Sequence, residues 1–261
     1  PMKRILLLPL FLLFINSTII EAIPEKIEKN KRETENSLIS TATKLMAFET
    51  YAESFYDCFD NKELDYTLFK KGLKGYYALK NGEKLNNTKY LTLIDFTKAS
   101  NKQRCFIIDM ESKTIEFQTV IAHGKNTGQL MAKKFSNESK SRMSSLGFYT
   151  TGLIYDGKYS YSLKLHGLEY SNSNAFERGV VIHSADYATE EFLQKNGNVL
   201  GRSFGCPALP HANYKTIVDK IKNGSCLFIY GKDKSYSRKS KLIRTNEFID
   251  SFYTDFLEQF S

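Results

Sequence analysis

The sequence contains no tryptophan, few cysteines and prolines, and no long hydrophobic run. Four cysteines in 261 residues are too few for the disulfide framework of a small secreted domain. Five prolines and fifteen glycines exclude collagen-like and low-complexity chains. The longest apolar run, Ile5 to Ile15 with one proline inside it, is shorter than the ~20 residues of a membrane-spanning helix.

The composition is that of a folded protein with a basic surface. Hydrophobic residues make up 41% and charged residues 25% of the chain, which excludes a disordered protein. The length suits one large domain or two small ones. The formal net charge of +8 favours an anionic partner such as an acidic cell-surface polymer, with solubility alone as an equal alternative because the lysines are scattered.

The N-terminus has the pattern of an export signal. Lys3 and Arg4 precede the apolar run, and small and polar residues lead to a cleavage site after Ala22. We therefore predict a signal peptide over 1–22 and a secreted or periplasmic location, without a stable membrane span after cleavage. An uncleaved anchor is the alternative.

Hydrophobic periodicity divides the remaining chain. Residues 23–36 are charged without apolar spacing, which indicates a flexible linker. Steps of three and four between apolar residues predict helices over Leu38–Phe59 and from about Leu68 to Asn81. These two helices form a region, 37–89, that we expect to pack on the core.

From Tyr90 the period changes to two, which predicts a sheet-rich domain over 90–231, either a sandwich or an open barrel. The predicted strands are Tyr90–Phe96, Arg104–Met110, Thr114–Ala122, Leu146–Thr151, Tyr161–Leu165, Gly179–Ile182 and Cys226–Tyr230, and the predicted helices are Thr189–Lys195 and His211–Lys222. The last segment, 232–261, combines a basic stretch with a C-terminal helix. We interpret the basic stretch, Lys232 to Arg244, as a solvated linker, with contact to an anionic polymer as the alternative. The fold class is α+β, mainly β.

Reactive side chains concentrate between His166 and Cys206. Cys206 lies between Gly205, which allows a sharp turn, and Pro207, which lacks an N–H. The N–H groups of Gly205 and Cys206 can face a developing oxyanion. His183 follows an apolar strand and is the candidate base that raises the thiolate fraction.

Several alternatives remain at this point. A cysteine in such a loop is usually a small buried residue, and a zinc site of His166, His183, Cys206 and His211 lacks close ligand spacing. His123 is expected either to line a groove or to stabilise a turn. Cys105 and Cys226 lie in apolar strands and are expected as buried thiols, and Cys206 is expected to stay reduced.

Six short motifs follow one another along the chain: AHGKNTG (122–128), KFSN (134–137), SSLGFYTTG (144–152), LHGLE (165–169), RGVVIHSADY (178–187) and LGRSFGCPALP (200–210). Their order and spacing resemble the murein L,D-transpeptidase catalytic domain family over roughly 90–231. The resemblance implies the fold of that family, with a mainly β catalytic domain.

The resemblance also implies site residues. Cys206 matches the nucleophile, and His183 matches the proton donor and acceptor. The remaining matches, which we expect at the oxyanion and substrate sites, are Gly205, Ser203, Arg202, Arg178 and Asn174. Phe204 and Pro207 stand where the commoner pattern has a histidine and, shortly after the cysteine, an arginine, so Arg202 or Arg178 is expected to serve the substrate carboxylate.

The implied reaction is acyl transfer on peptidoglycan stem peptides through a cysteinyl thioester, without metal or cofactor. An amine acceptor gives a 3–3 cross-link, whereas water gives an L,D-carboxypeptidase. Carbapenems are expected to acylate the same cysteine, and no nucleic-acid partner is expected. The alternatives are a non-catalytic cell-wall-binding protein and a papain-like protease, in which the cysteine would precede the histidine.

Overall fold

The computed structural model describes residues 10–60, 63–157 and 160–258. The chain divides into two compact units, 1–47 and 48–261. Lys3 and Arg4 of the predicted signal lie outside the described residues. Within the described ranges, no helix has both the length and the hydropathy to cross a bilayer.

Helices begin and end the described chain. They are α1 Leu10–Asp57, α2 Tyr66–Asn81, α3 Glu190–Lys195, α4 Tyr214–Ile221, α5 Lys234–Lys239, α6 Lys241–Arg244 and α7 Ile249–Glu258. Residues 23–36, predicted as a flexible linker, are helical within α1. This segment has no glycine and is rich in Glu and Lys, which lose little side-chain freedom in a helix.

Aromatic side chains join the helices of the second unit. Phe48 contacts Phe248 and Phe252 edge-on, with ring centroids 4.6 and 5.1 Å apart. Phe55 contacts Phe69 of α2 at 5.2 Å. Such pairs contribute about 0.5–1.5 kcal/mol each beyond the area that they bury, so the C-terminal helix, α2 and the last turns of α1 form one packed layer.

The strands form one mixed sheet. They are β1 Asn87–Asp95, β2 Cys105–Asp109, β3 Thr114–Thr119, β4 Gly147–Gly157, β5 Ser160–Gly167, β6 Val181–Ser184, β7 Ala208–Leu209 and β8 Ser225–Tyr230. Their order in the described residues is β3-β2-β1-β8-β4-β5-β6-β7. Seven of the eight were predicted, but β7 was missed because two residues carry no periodicity. Cys105 and Cys226 are buried, as expected.

The two ends of this sheet approach each other. Ala122, three residues beyond β3, donates its N–H to the Ala208 carbonyl of β7 at 2.8 Å and accepts from the Ala208 N–H at 3.3 Å. The sheet is thus nearly closed as a barrel. The α+β fold class with a mainly β domain is confirmed, and the closing seam lies beside Cys206.

The basic stretch after the barrel is not a solvated linker, so that prediction is wrong. It forms α5 and α6, and Tyr236 is buried. The buried Glu169 carboxylate accepts hydrogen bonds from the Tyr236 hydroxyl at 2.8 Å, the Phe148 N–H at 2.8 Å and the Ser240 hydroxyl. Losing a hydrogen bond to a buried carboxylate costs free energy of folding. Glu169 therefore holds the segment Lys232–Arg244 against the barrel.

His123 stabilises a turn rather than lining a groove, because its side chain is buried. Its Nδ1 lies 2.8 Å from an Arg104 nitrogen, and its Nε2 lies 3.2 Å from the Gly128 carbonyl oxygen. Arg104 can only donate and the carbonyl can only accept, so the neutral ring carries its proton on Nε2. Burial, together with the Arg104 charge, lowers the pKa of His123 to about 4.

This depressed pKa predicts a loss of stability in mild acid. Above pH 6.5 histidine is neutral in both the folded and unfolded states, and the full stability is present. As the pH falls towards 4, the unfolded chain binds the proton first, so the free energy of unfolding decreases by about 3 kcal/mol. Urea unfolding of the wild type and His123→Gln between pH 7.5 and 4.5 measures this. The glutamine keeps a donor and an acceptor, and its curve should be flatter; parallel curves would refute the assignment.

Candidate active site

Ser203 fixes the loop that carries Cys206. Its hydroxyl donates to the Cys206 carbonyl oxygen at 2.6 Å and accepts from the Gly205 N–H at 3.0 Å. Its backbone N–H donates to the His123 carbonyl oxygen at 3.0 Å. The side chain is buried, so these hydrogen bonds hold the loop in one conformation relative to the barrel seam.

Glycine is required at two points of this loop and its neighbour. Gly205 has φ +131°, and a Cβ there would lie 2.9 Å from the Met143 carbonyl oxygen. A Cβ on Gly124 would lie 3.0 Å from the Gly205 Cα. Both are closer than a side chain tolerates, which explains why the two glycine-containing motifs approach each other here.

The Cys206 sulfur lies against β6. The thiol donates to the Gly179 carbonyl oxygen at 3.7 Å, and the nearby Val181 N–H lowers the pKa of the thiol. The parallel register pairs His183 with Ala208, so Cys206 comes opposite the strand two residues before His183. The fold therefore brings the loop of Cys206 to the strand that carries His183.

His183 is buried within β6, and its tautomer follows from its partner. Its Nδ1 lies 3.0 Å from the Ser184 carbonyl oxygen. A carbonyl oxygen only accepts, so Nδ1 carries the proton and Nε2 is the basic nitrogen. The ring of Tyr187 packs edge-on against the imidazole at 6.3 Å.

Burial keeps both side chains neutral. It lowers the pKa of the His183 imidazole, an effect that the hydrogen bond to Ser184 opposes. It raises the pKa of the Cys206 thiol, which the Val181 N–H and the Arg178 charge oppose. The resting pair near pH 7 is thus a thiol and a neutral imidazole, which suits proton transfer at the moment of attack rather than a preformed ion pair.

Arg178 is half-buried next to the Cys206 loop, and a Cβ on Gly205 would lie 3.4 Å from its guanidinium. The guanidinium donates to the carbonyl oxygens of Ser136 (2.9 Å) and Met143 (2.7 Å) and to the hydroxyls of Ser141 (3.3 Å) and Ser145. Arg178 therefore anchors the segment 136–145 beside the Cys206 loop. Its charge favours the thiolate of Cys206.

A family model of the L,D-transpeptidase catalytic domain matches residues 60–230. The chain belongs to this family. No curated protein matches the chain.

Solved structures that resemble the chain include L,D-transpeptidases. One, from Mycobacterium smegmatis, is 12% identical over 55% of this chain and 59% of that chain, with a TM-score of 0.33. The helical cell shape determining protein Pgp2 from Campylobacter jejuni is 16% identical over 72% and 62%, with a TM-score of 0.37. An L,D-transpeptidase in complex with imipenem is 12% identical over 54% and 59%, with a TM-score of 0.33. The chain spans about three fifths of the length of these proteins.

Asn174 and Arg202, which also match the L,D-transpeptidase pattern, both have exposed side chains. Asn174 is exposed and bonds to Asn137, its N–H donating to the side-chain oxygen at 3.0 Å; it supports the loop that Arg178 anchors. Arg202 is exposed four residues before Cys206 and lines a cavity. Asn174 thus lies in a supporting loop, whereas Arg202 is accessible to a ligand.

The candidate site also includes a residue that the motifs contained without an assigned role. The Ser144 hydroxyl donates to the Gly205 carbonyl oxygen at 3.1 Å and accepts from the Gly124 N–H at 3.0 Å. It therefore links the three motifs around Cys206. The only available signal was its place in the motif SSLGFYTTG, because the contact spans 61 residues.

The expected oxyanion donors are differently engaged. The Gly205 N–H already donates to Ser203, whereas the Cys206 N–H is close enough to its own thiol to lower the pKa of that thiol. Use of the Gly205 N–H by a ligand would require exchange of that hydrogen bond. Among the described residues, no group of three or more His, Cys, Asp or Glu could hold a metal ion. His211, a member of the zinc alternative, instead bonds to Asp186 at 2.8 Å.

Proposed function

We propose that this member of the family is a cysteine-dependent peptidoglycan L,D-transpeptidase that forms 3–3 cross-links between stem peptides. The observation that supports this most is the register of β6 and β7, which sets Cys206 against the strand that carries His183. Family membership supports the general reaction class. We further propose export to the periplasm, where stem peptides are found.

The proposed reaction begins with transfer of the Cys206 thiol proton to Nε2 of His183. The sulfur then attacks the carbonyl between the L-centre of the third stem residue and D-Ala. A C–S bond forms, the C–N bond breaks, and D-Ala leaves with the proton from His183. The Cys206 N–H is the oxyanion donor at hand, and one such donor contributes about 3 kcal/mol to the transition state.

The second half releases the thioester. An amine of another stem gives its proton to His183 and attacks the acyl carbon. A new C–N bond forms, the C–S bond breaks, and the thiol regains its proton. Water in place of the amine gives the L,D-carboxypeptidase, which is the alternative function. Carbapenems are proposed to acylate the same sulfur, because their strained lactam carbonyl is an electrophile for it.

Mass spectrometry of muropeptides distinguishes these reactions. Purified protein is incubated with a disaccharide tetrapeptide alone and with added acceptor stem. We expect a dimer with loss of one D-Ala, increasing with acceptor concentration. Tripeptide monomer without dimer at every acceptor concentration would contradict the transpeptidase and favour the carboxypeptidase. Binding without any product would favour the non-catalytic cell-wall protein.

A further inference from the structure

A cavity of about 590 Å³ opens beside the loop that carries Cys206. Arg202 and Phe204 of that loop form one side, Lys125 another, and Phe192 and Asn196 around α3 a third. None of its lining residues is an aspartate or glutamate. The cavity therefore combines two cationic side chains with aromatic walls and no acidic residue.

The two cations are available to a ligand. Lys125 and Arg202 are both exposed, and neither forms a side-chain ion pair within the part of the chain that the structure describes. The Arg202 charge is close enough to the buried His123 to help lower its pKa. Unneutralised cations around a concave surface attract an anion, and planar guanidinium groups suit carboxylates.

The backbone ties these cations to the nucleophile. The Lys125 N–H donates to the Ser203 carbonyl oxygen at 2.8 Å, and Gly124 forms a bridge with Ser203. Ser203 in turn holds Cys206 through its hydroxyl. Arg202 directly precedes Ser203, so both cationic residues belong to the frame that positions the sulfur.

We propose that this cavity is a carboxylate subsite, in which Lys125 and Arg202 bind the C-terminal carboxylate of the stem tetrapeptide. This inference rests on the proposed function. The terminal carboxylate is one residue beyond the scissile carbonyl, a distance of about 3.8 Å between Cα atoms. Phe204, on the cavity wall, is two residues from Cys206, which spans at most ~7 Å of chain.

The other arginine near the nucleophile does not suit this role. The guanidinium of Arg178 already donates to four oxygens of the segment 136–145. Binding a substrate would break those contacts at the cost of buried, unpaired groups. Lys125 had no assigned role in the sequence, and the cavity gives it one.

Loss of D-Ala would remove the carboxylate from this subsite. The acyl-enzyme then leaves the two cations without an anion, while the new acyl group stays on Cys206. The tripeptide product has no carboxylate one residue beyond the reacting carbonyl, so it should bind this subsite more weakly than the tetrapeptide does.

Binding of two peptides to Cys206→Ala protein tests the subsite without turnover. One is a stem tetrapeptide with a free C-terminus, and the other is its C-terminal amide. Titration calorimetry should give a Kd about tenfold lower for the free acid, as expected for a charge-assisted hydrogen bond. Adding Lys125→Gln and Arg202→Gln should bring the ratio of the two Kd values close to one.

A charge-matched control separates this subsite from general attraction. Lys102→Gln with Lys232→Gln removes two exposed positive charges outside the cavity lining and should leave the ratio unchanged. The proposal is overturned by a ratio near one in the Cys206→Ala protein, or by a ratio that survives the cavity substitutions. Either of these results can coexist with normal dimer formation, so they leave the proposed function intact.

Discussion

Cys206→Ala is expected to lower the rate of D-Ala release by at least ~1,000-fold, because no other group replaces the nucleophile once the thioester cannot form. The substitution removes a partly exposed side chain, and the loop remains held by Ser203. The fold should therefore persist. Release of D-Ala from a tetrapeptide, followed by coupled amino-acid detection, measures the effect.

The chain offers a matched control for this variant. Cys58 is an exposed free cysteine that directly follows α1. Its thiol donates to the carbonyl oxygen of Ser54, in the last turn of that helix, at 3.3 Å. Cys58→Ala should retain wild-type turnover, and both variants should show the wild-type circular dichroism spectrum. Full turnover by Cys206→Ala would contradict the cysteine mechanism.

His183→Gln is expected to lower the rate of acylation by about 10²–10⁴-fold at pH 7, the usual contribution of a general base. The loss should also change the pH dependence. In the wild type the imidazole is neutral above pH 6.5, because burial lowers its pKa, so the rate should be flat between pH 7 and 8.5. Stopped-flow acylation by a carbapenem, followed by its absorbance, gives these rates.

Without the imidazole, His183→Gln can react only through the fraction of Cys206 that has lost its proton to solvent. Burial raises the thiol pKa above its ordinary value of 9.0, so the thiolate fraction and the rate should increase about tenfold per pH unit over the same range. His211→Gln, which removes an exposed histidine bonded to Asp186, should keep the flat profile. A flat profile for His183→Gln would show that His183 acts only on structure.

The sequence predicted most of the sheet because the signals of its strands are local. The motifs that propose Cys206 and His183 as a reactive pair are local as well. Seven strands have a period of two, and Cys206 and His183 occur in motifs whose residue types fit acyl transfer. The closing strand β7 has only two residues, Ala208 and Leu209. Its pairing with His183 is a long-range property, and this pairing brings the loop of Cys206 to the strand that carries His183.

Other errors have the same origin. The basic stretch Lys232–Arg244 has the composition of a solvated segment, yet Tyr236 is buried against a carboxylate 67 residues away in sequence. His123 could not be assigned because its partner Arg104 is 19 residues distant on another strand end. The hydrogen bond from the Gly205 N–H to the Ser203 hydroxyl depends on the conformation of the loop, which the spacing of residues in the sequence does not predict.

The same geometry distinguishes the two arginines that the motifs left equivalent. Arg178 has its guanidinium satisfied by the segment 136–145, whereas Arg202 faces a cavity without acidic residues. Residue type alone predicts carboxylate binding for both. The hydrogen-bond partners place Arg178 in the support of the loop 136–145, and our proposal gives the ligand role to Arg202.

Trapping the thioester tests the central claim that Cys206 carries the acyl group during the reaction. Protein is mixed with a stem tetrapeptide, quenched in acid within seconds, and analysed by intact mass and peptide mapping. The mechanism predicts an adduct equal to the tetrapeptide minus D-Ala, bound to Cys206 and cleaved by hydroxylamine. Product formation with no adduct on Cys206, or with the adduct on another residue, would contradict it.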